Sequence, residues 1–192
     1  MYVWGRFLRT ALTTRSRGPY RLGGESTLSF RCLPTDIDSN LHLNNARYMM
    51  LADMGRIDIF IRSGFWDLCK QNGWAPMMGG LQAVYVREIR LWQRFQVVSS
   101  LETWQDRQII GAHRFLHMDG TVAAAMLTTA GVYDRAKRGF VPLDDVARRL
   151  GYEGEARPPT AEEAAFMASH DGLRGLARGR LQAGSARHGD AA

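Results

Sequence analysis

The pattern of apolar positions changes once along the chain, from a helical pattern to a strand-like one. Residues 46–64, ARYMMLADMGRIDIFIRSG, have the length of a helix and are apolar on almost every side, which is typical of a helix buried by its surroundings. Gly55 lies in the middle of this segment, where glycine costs about 1 kcal/mol relative to alanine. We therefore expect another part of the backbone to pass close to Gly55, and Gly64 to end the helix.

Shorter elements are predicted on both sides of this helix. A strand is predicted at 26–33 and a short helical turn at 65–74. After Pro76 the apolar period becomes two, which is the period of a strand. Strand-like segments follow at 79–89, 94–104, 107–118 and 121–133. Asp119-Gly120 predicts a hairpin turn, and a short helix follows at 144–151. This order predicts an α+β fold in which antiparallel strands wrap one long helix.

Composition narrows the class of protein. The length of 192 residues favours one domain, and no apolar run approaches the ~18–20 residues that cross a bilayer. The net charge of +6 arises from arginines spread along the chain without a motif of stacking aromatic residues, which argues against nucleic-acid binding. Cys32 and Cys69 lie in apolar surroundings and are expected to be free thiols of a reducing, cytoplasmic compartment. They are too few for a zinc site, and no metal or cofactor is predicted.

The two ends of the chain differ from its middle. Residues 1–24 form a basic N-terminal leader without acidic residues, residues 25–152 form the expected folded domain, and residues 153–192 form a tail rich in Ala, Gly and Arg. In a helical leader, one face would hold Trp4, Phe7, Leu8 and Leu12. Such a helix could make a peripheral contact with an anionic membrane surface, and a frayed extension is the alternative. The tail is poor in core residues and is expected to be mobile.

A cluster of polar residues precedes the long helix. The stretch PTDIDSNLHLNNARYMM, Pro34–Met50, contains three of the four asparagines of the chain. Its polar residues are Asp36, Asp38, Asn40, His42, Asn44 and Asn45. A structural interpretation explains each of them singly, because asparagine before a helix is a good N-cap and aspartate forms Asx-turns. The combination of all six is also suited to chemistry.

The chemical interpretation starts from the helix N-terminus, whose free N–H groups and positive dipole end can hold an oxyanion. Asp38 would act as a general base on water or as a nucleophile on an acyl carbon. Asn40 would orient the water or the carboxylate, and His42 would donate a hydrogen bond or carry a proton near neutral pH. Hydrolysis of an acyl compound needs these parts.

Residues 34–56, PTDIDSNLHLNNARYMMLADMGR, resemble the motif of hot-dog fold thioesterases, the 4-hydroxybenzoyl-CoA thioesterase-like superfamily, and the loop of plant acyl-ACP thioesterases. The matching positions are Asp36, Asp38, Asn40, His42, Asn44, Asn45, Tyr48, Asp53 and Arg56. The resemblance extends over about 26–141 and implies a hot-dog fold, an antiparallel sheet wrapped around a long central helix. It also implies Asp38 as the catalytic carboxylate, assisted by Asn40 and His42. Substrate contacts at Asn44, Asn45 and Tyr48, and a homodimer or higher multiple, are further implications.

Other positions admit two interpretations. Asp53 and Arg56 stand three residues apart on the predicted helix and would simply pair. Gly79 and Gly80 would let the backbone approach a ligand, or would form a bulge or bend. Three arginines would meet the phosphates of coenzyme A, or would line a solvated strand edge. These are Arg87, Arg90 and Arg94.

Three functions compete for this sequence. The first is hydrolysis of an acyl-CoA or acyl-ACP thioester, which is the function we predict. The second is a hot-dog hydratase, in which Asp and His stand five residues apart with an intervening Pro. Asp38 and His42 are four apart and no Pro intervenes, which disfavours it. The third is a non-catalytic protein that binds acyl thioesters or lipids, which would bind ligand without releasing a thiol.

Overall fold

A curved antiparallel sheet surrounds one long helix in the computed structural model, which describes residues 2–189 and the side chains of residues 4–179. The strand order is β1-β3-β4-β5-β2, and a short β6 pairs with the end of β5. The strands are β1 Glu25–Arg31, β2 Trp74–Tyr85, β3 Arg94–Gln105, β4 Gln108–His117, β5 Val122–Asp134 and β6 Gly139–Phe140. β1 and β2 therefore form the two edges of the main sheet, and the predicted α+β class is confirmed.

The helices are α1 Tyr2–Thr13, α2 Asn45–Arg62, α3 Phe65–Asn72, α4 Leu143–Arg149 and α5 Ala161–Gly189, with a 3₁₀ helix at Thr14–Arg17. The chain divides into two compact units, one that ends at Pro158 and contains the sheet with α1–α4, and one from Pro159 onward that contains α5. Composition alone predicted no helix in the second unit. None of the helices in the described part of the chain is long and apolar enough to cross a membrane.

The long helix α2 begins and ends where its sequence predicts. The Asn44 side chain accepts a hydrogen bond from the Ala46 N–H at 2.9 Å, and this cap satisfies one of the free N–H groups of the first turn. The predicted close approach at Gly55 is present, but its partner is a side chain and not backbone. A Cβ atom built on Gly55 would lie 2.0 Å from the Ser99 Oγ of β3. Glycine therefore lets α2 lie directly against the sheet.

Two apolar clusters hold the sheet and the helices together. The first packs α2 against the inner face of the sheet and includes Leu51 and Phe95, both fully buried. The second joins α3, β3 and α4 and includes Trp104 and Leu143. The polar loop that precedes α2 contributes Leu43 to the first cluster, which ties the loop to the core.

Cys32 and Cys69 are buried free thiols, as predicted, and each belongs to one of the two apolar clusters. Burial raises the pKa of Cys69 to about 11 and raises the pKa of Cys32 above its usual value. Both side chains are therefore thiols at neutral pH, and a thiol is a much weaker nucleophile than a thiolate. Neither cysteine fits a nucleophilic role.

Strand β2 differs from its prediction in extent and in burial. It begins at Trp74, before Pro76, because a proline without an N–H is tolerated at an edge strand, and it ends at Tyr85. The sequence predicted a strand that runs to Ile89, but that residue has left the ladder and is fully buried in the core. Both faces of β2 are largely exposed, whereas alternating apolar residues usually indicate one buried face.

The N-terminal residues form α1, which packs against α2. Ion pairs hold α1 and the following 3₁₀ helix in place: Arg6 Nη2 of α1 lies 2.6 Å from Asp36 Oδ2, and Arg17 Nη2 of the 3₁₀ helix lies 2.6 Å from Asp58 Oδ1. Asp58 is fully buried on α2 and also accepts a hydrogen bond from the Ser26 Oγ at 2.6 Å. The basic leader is therefore helical in the structure, and part of its charge is used to bind the domain.

Candidate active site

The polar loop before α2 is a tight turn held by its own backbone. Ile37 and Leu43 form an isolated antiparallel bridge, and the Asp38 N–H donates to the His42 carbonyl at 3.1 Å. The turn closes with the Leu41 N–H donating to the Asp38 carbonyl at 3.1 Å. Leu41 takes a positive φ of 60°, which is uncommon for a bulky residue. The loop thus places Asp38 and His42 opposite each other.

Asp38 and His42 form the centre of the candidate site. The distance between Asp38 Oδ1 and His42 Nδ1 is 3.5 Å, and the two side chains are 23% and 29% exposed. Asp38 Oδ1 also accepts the Asn40 N–H at 2.9 Å, in the Asx-turn that the structural interpretation predicted. Asp38 Oδ2 has no hydrogen-bond partner within the described residues. One carboxylate oxygen is therefore held by the loop, and the other is available to a substrate or a water.

The three asparagines of the loop have different surroundings. Asn44 caps α2, as predicted, and its side chain is half-buried. Asn45 is the exposed first residue of α2, and its carbonyl lies 3.4 Å from the Tyr85 hydroxyl. Asn40 is exposed at the tip of the turn, where its N–H binds Asp38. All three lie within one short stretch of backbone, close to Asp38.

Asp36 matches the same sequence motif as Asp38 but occupies a different environment. It is fully buried, and Oδ2 accepts hydrogen bonds from Arg6 Nη2 at 2.6 Å and from the Leu33 N–H at 2.8 Å. Burial raises the pKa of Asp36 above its usual value, while the hydrogen bond from the Leu33 N–H and then the charge of Arg47 work in the opposite direction. Burial also lowers the pKa of Arg6 to about 10, so that guanidinium stays charged at neutral pH. Asp36 therefore anchors α1 and does not face solvent.

Tyr48 and the glycine pair of β2 lie away from the open side of the loop. Tyr48 is only 2% exposed and packs edge-on against Tyr85 and Phe115. Burial, followed by the nearby Tyr85 and Cys32, raises the pKa of Tyr48 to about 12. Gly79 and Gly80 form a bulge in β2, about 17 Å along the strand from Tyr85. The glycines therefore lie well along β2 from Tyr85, whose hydroxyl reaches the Asn45 carbonyl.

A basic groove lies beside the loop. His42 forms an isolated bridge with Arg90, so a residue far along the chain lies next to the loop. Arg90 belongs to an open groove of about 810 Å³. Its lining residues are Arg87, Glu88, Arg90, Gln93, Arg94, His117, Met118, Asp119 and Thr121. The three arginines were noted in the sequence, but nothing local to them indicated that they would lie beside His42.

Asp53 and Arg56 pair on α2, as their spacing predicted.

A second polar group, which the sequence did not single out, lies beneath α2. His113 is 1% exposed, its Nδ1 lies 2.8 Å from the Ser99 Oγ, and its Nε2 lies 3.3 Å from the Thr128 Oγ1. Burial, followed by the charge of Arg56, lowers the pKa of His113 to about 3. A neutral histidine held by two hydroxyls stabilises the interior and is not available to a substrate.

The described residues contain no group of three or more His, Cys, Asp or Glu side chains arranged to hold a metal ion. The site consists of a carboxylate, an imidazole, asparagine side chains and the N-terminus of α2. These groups suit acid–base or nucleophilic chemistry on an acyl carbon.

Structural comparison identifies the fold as a hot-dog fold, as the motif implied. The Escherichia coli protein YbaW, described as a probable thioesterase, superposes with a TM-score of 0.61 at 20% identity, over 65% of this chain and 94% of that chain. Slr0204 of Synechocystis, a 1,4-dihydroxy-2-naphthoyl-CoA thioesterase, superposes with a TM-score of 0.58 at 9% identity, over 66% and 95%. SAV2348 of Staphylococcus aureus, whose structure contains CoA, has a TM-score of 0.57 at 14% identity, over 74% and 94%.

The chain belongs to the thioesterase-like superfamily, whose family model matches residues 32–150, more than half of its length. A curated relative, Protein THEM6 of Xenopus laevis, is 33% identical over 103 residues, which are 54% of this chain and 50% of that protein. Protein THEM6 of Danio rerio is 28% identical over 135 residues, or 68% and 66%. The chain thus spans about half to two-thirds of these relatives. Family membership supports thioester hydrolysis or thioester binding in general.

Proposed function

We propose that the protein hydrolyses acyl thioesters of coenzyme A or of an acyl carrier protein, with Asp38 as the reacting carboxylate. The observation that carries this proposal is the partly exposed Asp38 carboxylate, 3.5 Å from His42 Nδ1, in the turn that leads into the N-terminus of α2. One carboxylate oxygen is oriented by the Asn40 N–H, which fixes the direction of the other. An oriented carboxylate beside a helix N-terminus suits attack on a carbonyl.

The reaction has two forms with this geometry. As a general base, Asp38 takes a proton from water while the water oxygen attacks the thioester carbon. As a nucleophile, Asp38 attacks that carbon itself, and water later hydrolyses the resulting anhydride. In both forms the C–S bond breaks, and the sulfur leaves as a thiolate that takes up a proton. N–H groups of the first turn of α2 would hold the oxyanion, and His42 would donate a hydrogen bond or a proton.

Coenzyme A is the carrier that the basic groove favours. Arg87, Arg90 and Arg94 line a groove that meets the loop at the bridge between His42 and Arg90. Guanidinium groups bind phosphate with paired hydrogen bonds, and coenzyme A carries several phosphates. Arg90 also pairs with Glu88, so Arg87 and Arg94 would bind a phosphate more readily than Arg90 would. An acidic carrier protein is the alternative partner of the same groove, and comparing both thioesters in one assay separates them.

Asp38→Asn tests the reaction because it keeps the size of the side chain and removes its charge and basicity. We expect turnover to fall about 100-fold or more, since general-base catalysis contributes ~10²–10⁴, with a change in stability within about 1 kcal/mol. His42→Ala and Asn40→Ala should cost less, because these residues assist and do not attack. The assay is free-thiol release from short, long and aromatic acyl-CoAs in single-turnover kinetics.

Two outcomes would overturn the mechanism. Near-normal turnover of Asp38→Asn would remove Asp38 from the reaction, and an unfolded variant would give it a structural role. Wild-type protein that binds acyl-CoA in equilibrium dialysis without thiol release would instead be a non-catalytic acyl-thioester or lipid-binding protein. Matched acyl-CoA affinities of the wild type and Asp38→Asn would show that the substitution affects turnover and not binding.

A homodimer along β2 is part of the proposal. β2 is an edge strand of 12 residues, and its exposed apolar side chains are Met77, Met78, Leu81, Val84 and Tyr85. A long apolar edge with unpaired backbone groups is a template for pairing with another chain. A substrate contact by Gly79 and Gly80 depends on such a second subunit. Sedimentation at micromolar concentration should show twice the single-chain mass. Leu81→Lys should reduce the sedimenting mass to that of the monomer, while the control Met118→Lys should leave it unchanged.

We also propose a cytoplasmic location, with a peripheral membrane contact through α1. Trp4, Leu8 and Leu12 recur every four residues along α1 and are 71%, 57% and 71% exposed, while residues 1–24 contain no acidic side chain. An apolar stripe flanked by arginines suits an anionic membrane surface. Co-sedimentation should require anionic vesicles and weaken with salt. The double variant Leu8→Ser/Leu12→Ser should bind less than a Leu173→Ser control, and equal binding to neutral vesicles would contradict the contact.

A further inference from the structure

A cavity of about 410 Å³ lies beside the C-terminal half of α2. Its lining residues include Phe60 of α2, Ile109 of β4, Val132 of β5 and Ala147 of α4. Its volume falls within the range of about 300–1,000 Å³ that is usual for small-molecule sites. The proposed reaction at Asp38 does not use this cavity.

The cavity is well separated from the loop that holds Asp38. Arg56 is the lining residue of α2 that lies closest to the helix N-terminus, and it stands eleven positions after Asn45. The rise of 1.5 Å per residue places them about 17 Å apart along the helix axis. The cavity is also bounded by residues of α4, which takes no part in the loop. It is therefore a second site and not an extension of the first.

The charge of the lining selects the head group of a ligand. Among the described lining residues the charged ones are Arg21 and Arg56, and none is acidic. Arg21 is exposed, whereas Arg56 is 8% exposed. Asp53 Oδ1 accepts a hydrogen bond from Arg56 Nη2. The Nε and Nη1 atoms of Arg56 have no hydrogen-bond partner among the described residues. Because Nε and Nη1 point to opposite sides of the guanidinium plane, one of them can donate to a carboxylate, in a place where water competes weakly.

The remaining walls select the body of the ligand. They are mostly aliphatic and aromatic, so a polar body would lose hydration without gaining partners. Thr128 also lines the cavity, but its hydroxyl donates to the Gly111 carbonyl at 3.3 Å and contacts His113 Nε2 at 3.3 Å. The other hydroxyls and the indole N–H of the described lining residues also donate to protein acceptors, so the two arginines supply the free donors, which fits an amphiphile with a single anionic end.

We propose that this cavity binds a single-chain aliphatic carboxylate, with its chain among the apolar walls and its carboxylate on Arg56. The site goes beyond the proposed hydrolysis, and its occupation requires no turnover. A carboxylate is also what thioester hydrolysis would release, so the same acyl chain could arrive as the free acid or as a thioester. Arg56 favours the free acid, because only the free acid carries a charge at the end of the chain.

Binding is measured by quenching of tryptophan fluorescence, since Trp104 lines the cavity, and by calorimetry. The probes are octanoate, decanoate, dodecanoate, decanol and benzoate, with the full chain at neutral pH. We expect a saturable optimum within the alkanoate series and about tenfold weaker binding of decanol, a ratio typical of hydrogen bonds to a charged group. Asp38→Asn should bind decanoate like the wild type, which separates this result from the fate of the proposed reaction.

Three variants locate the ligand. Ala147→Phe fills the cavity and should weaken decanoate binding at least tenfold, while Ala136→Phe, on an exposed turn outside the cavity, should leave it unchanged. Arg56→Gln should remove the preference for decanoate over decanol but keep decanol binding, which a misfolded protein would not do. Arg21→Gln should keep the preference.

The results that would overturn the proposal are equally specific. Absence of alkanoate binding, or benzoate binding in preference to every alkanoate, would exclude the proposed ligand class. Unchanged binding by Ala147→Phe would place the ligand elsewhere. Loss of the head-group preference in Arg21→Gln and not in Arg56→Gln would contradict the assignment of the carboxylate. Decanoyl-CoA that binds the cavity of Asp38→Asn more tightly than decanoate would make the thioester the ligand.

Discussion

Replacement of Gly55 by alanine should destabilise the domain although alanine is the better helix former. The added Cβ would lie 2.0 Å from the Ser99 Oγ and 2.7 Å from the Ser99 Cβ, so either α2 or the Ser99 side chain must move. Ser99 Oγ lies 2.8 Å from the buried His113 Nδ1. A rotation of Ser99 would therefore leave His113 without one of its two hydrogen-bond partners.

The magnitude follows from three contributions. Overpacking costs about 1–3 kcal/mol, and an unsatisfied buried polar group costs about 1–3 kcal/mol. The higher helix propensity of alanine offsets about 1 kcal/mol of this cost. We expect a net loss of about 1–5 kcal/mol in the free energy of unfolding. Gly5→Ala is the matched control, because Gly5 is a helical glycine of α1 with nothing within 4 Å of its added Cβ. It should be neutral or stabilising by up to about 1 kcal/mol.

The assay is urea unfolding followed by tryptophan fluorescence, with the slope of the transition compared between variants. Ser99→Gly removes the obstructing side chain, so Gly55→Ala in that background should lose its cost and gain stability of up to about 1 kcal/mol. A reversal of sign between the two backgrounds is the expected signature. Gly55→Ala that is as stable as the wild type, or no coupling with Ser99→Gly, would refute the close packing of α2 on β3.

Three further predictions concern the loop, the interior and the tail. Asn44→Ala should destabilise the domain by about 1 kcal/mol through loss of the α2 cap; an unchanged thermal midpoint would contradict the cap. The pKa of His113 is lowered from 6.5 to about 3, so its contribution to the free energy of unfolding is complete above pH 6.5 and falls by about 1.4 kcal/mol per pH unit as the pH drops towards 3. His113→Gln should therefore make the free energy of unfolding depend less steeply on pH between 3 and 6.5. An equal slope in the wild type and the variant would exclude His113 as the source of this pH dependence. Deletion of residues 172–192 should leave the melting temperature and turnover nearly unchanged, whereas a drop of several degrees would show that this segment packs on the domain.

The sequence determined the features that depend on neighbours along the chain. These features are the apolar run that forms α2, the cap at Asn44 and the pairing of Asp53 with Arg56. Within each of them the interacting residues stand four positions apart or fewer, so their spacing along the chain specifies their geometry. The period of two specified the strands in the same way. The resemblance of the loop to a known motif implied the hot-dog fold.

Tertiary structure decided which of two similar residues faces solvent. Asp36 and Asp38 stand two positions apart in one loop, and nothing local distinguishes their chemistry. Asp36 is buried because α1 brings Arg6 to it, while Asp38 remains partly exposed beside His42. The partner of Gly55 is likewise decided by the tertiary structure: the sequence predicted a close approach by backbone, and the structure places the side chain of Ser99 there, on a strand far along the chain.

The groove and the cavity belong entirely to the tertiary structure. Arg90 lies beside His42 because the segment after β2 returns to the loop, and the cavity exists because α4 closes over the sheet beside α2. Such contacts depend on strand register and on how side chains from distant segments fill the same space. A linear pattern records which residues prefer burial, but the packing of the whole chain determines which of them meet.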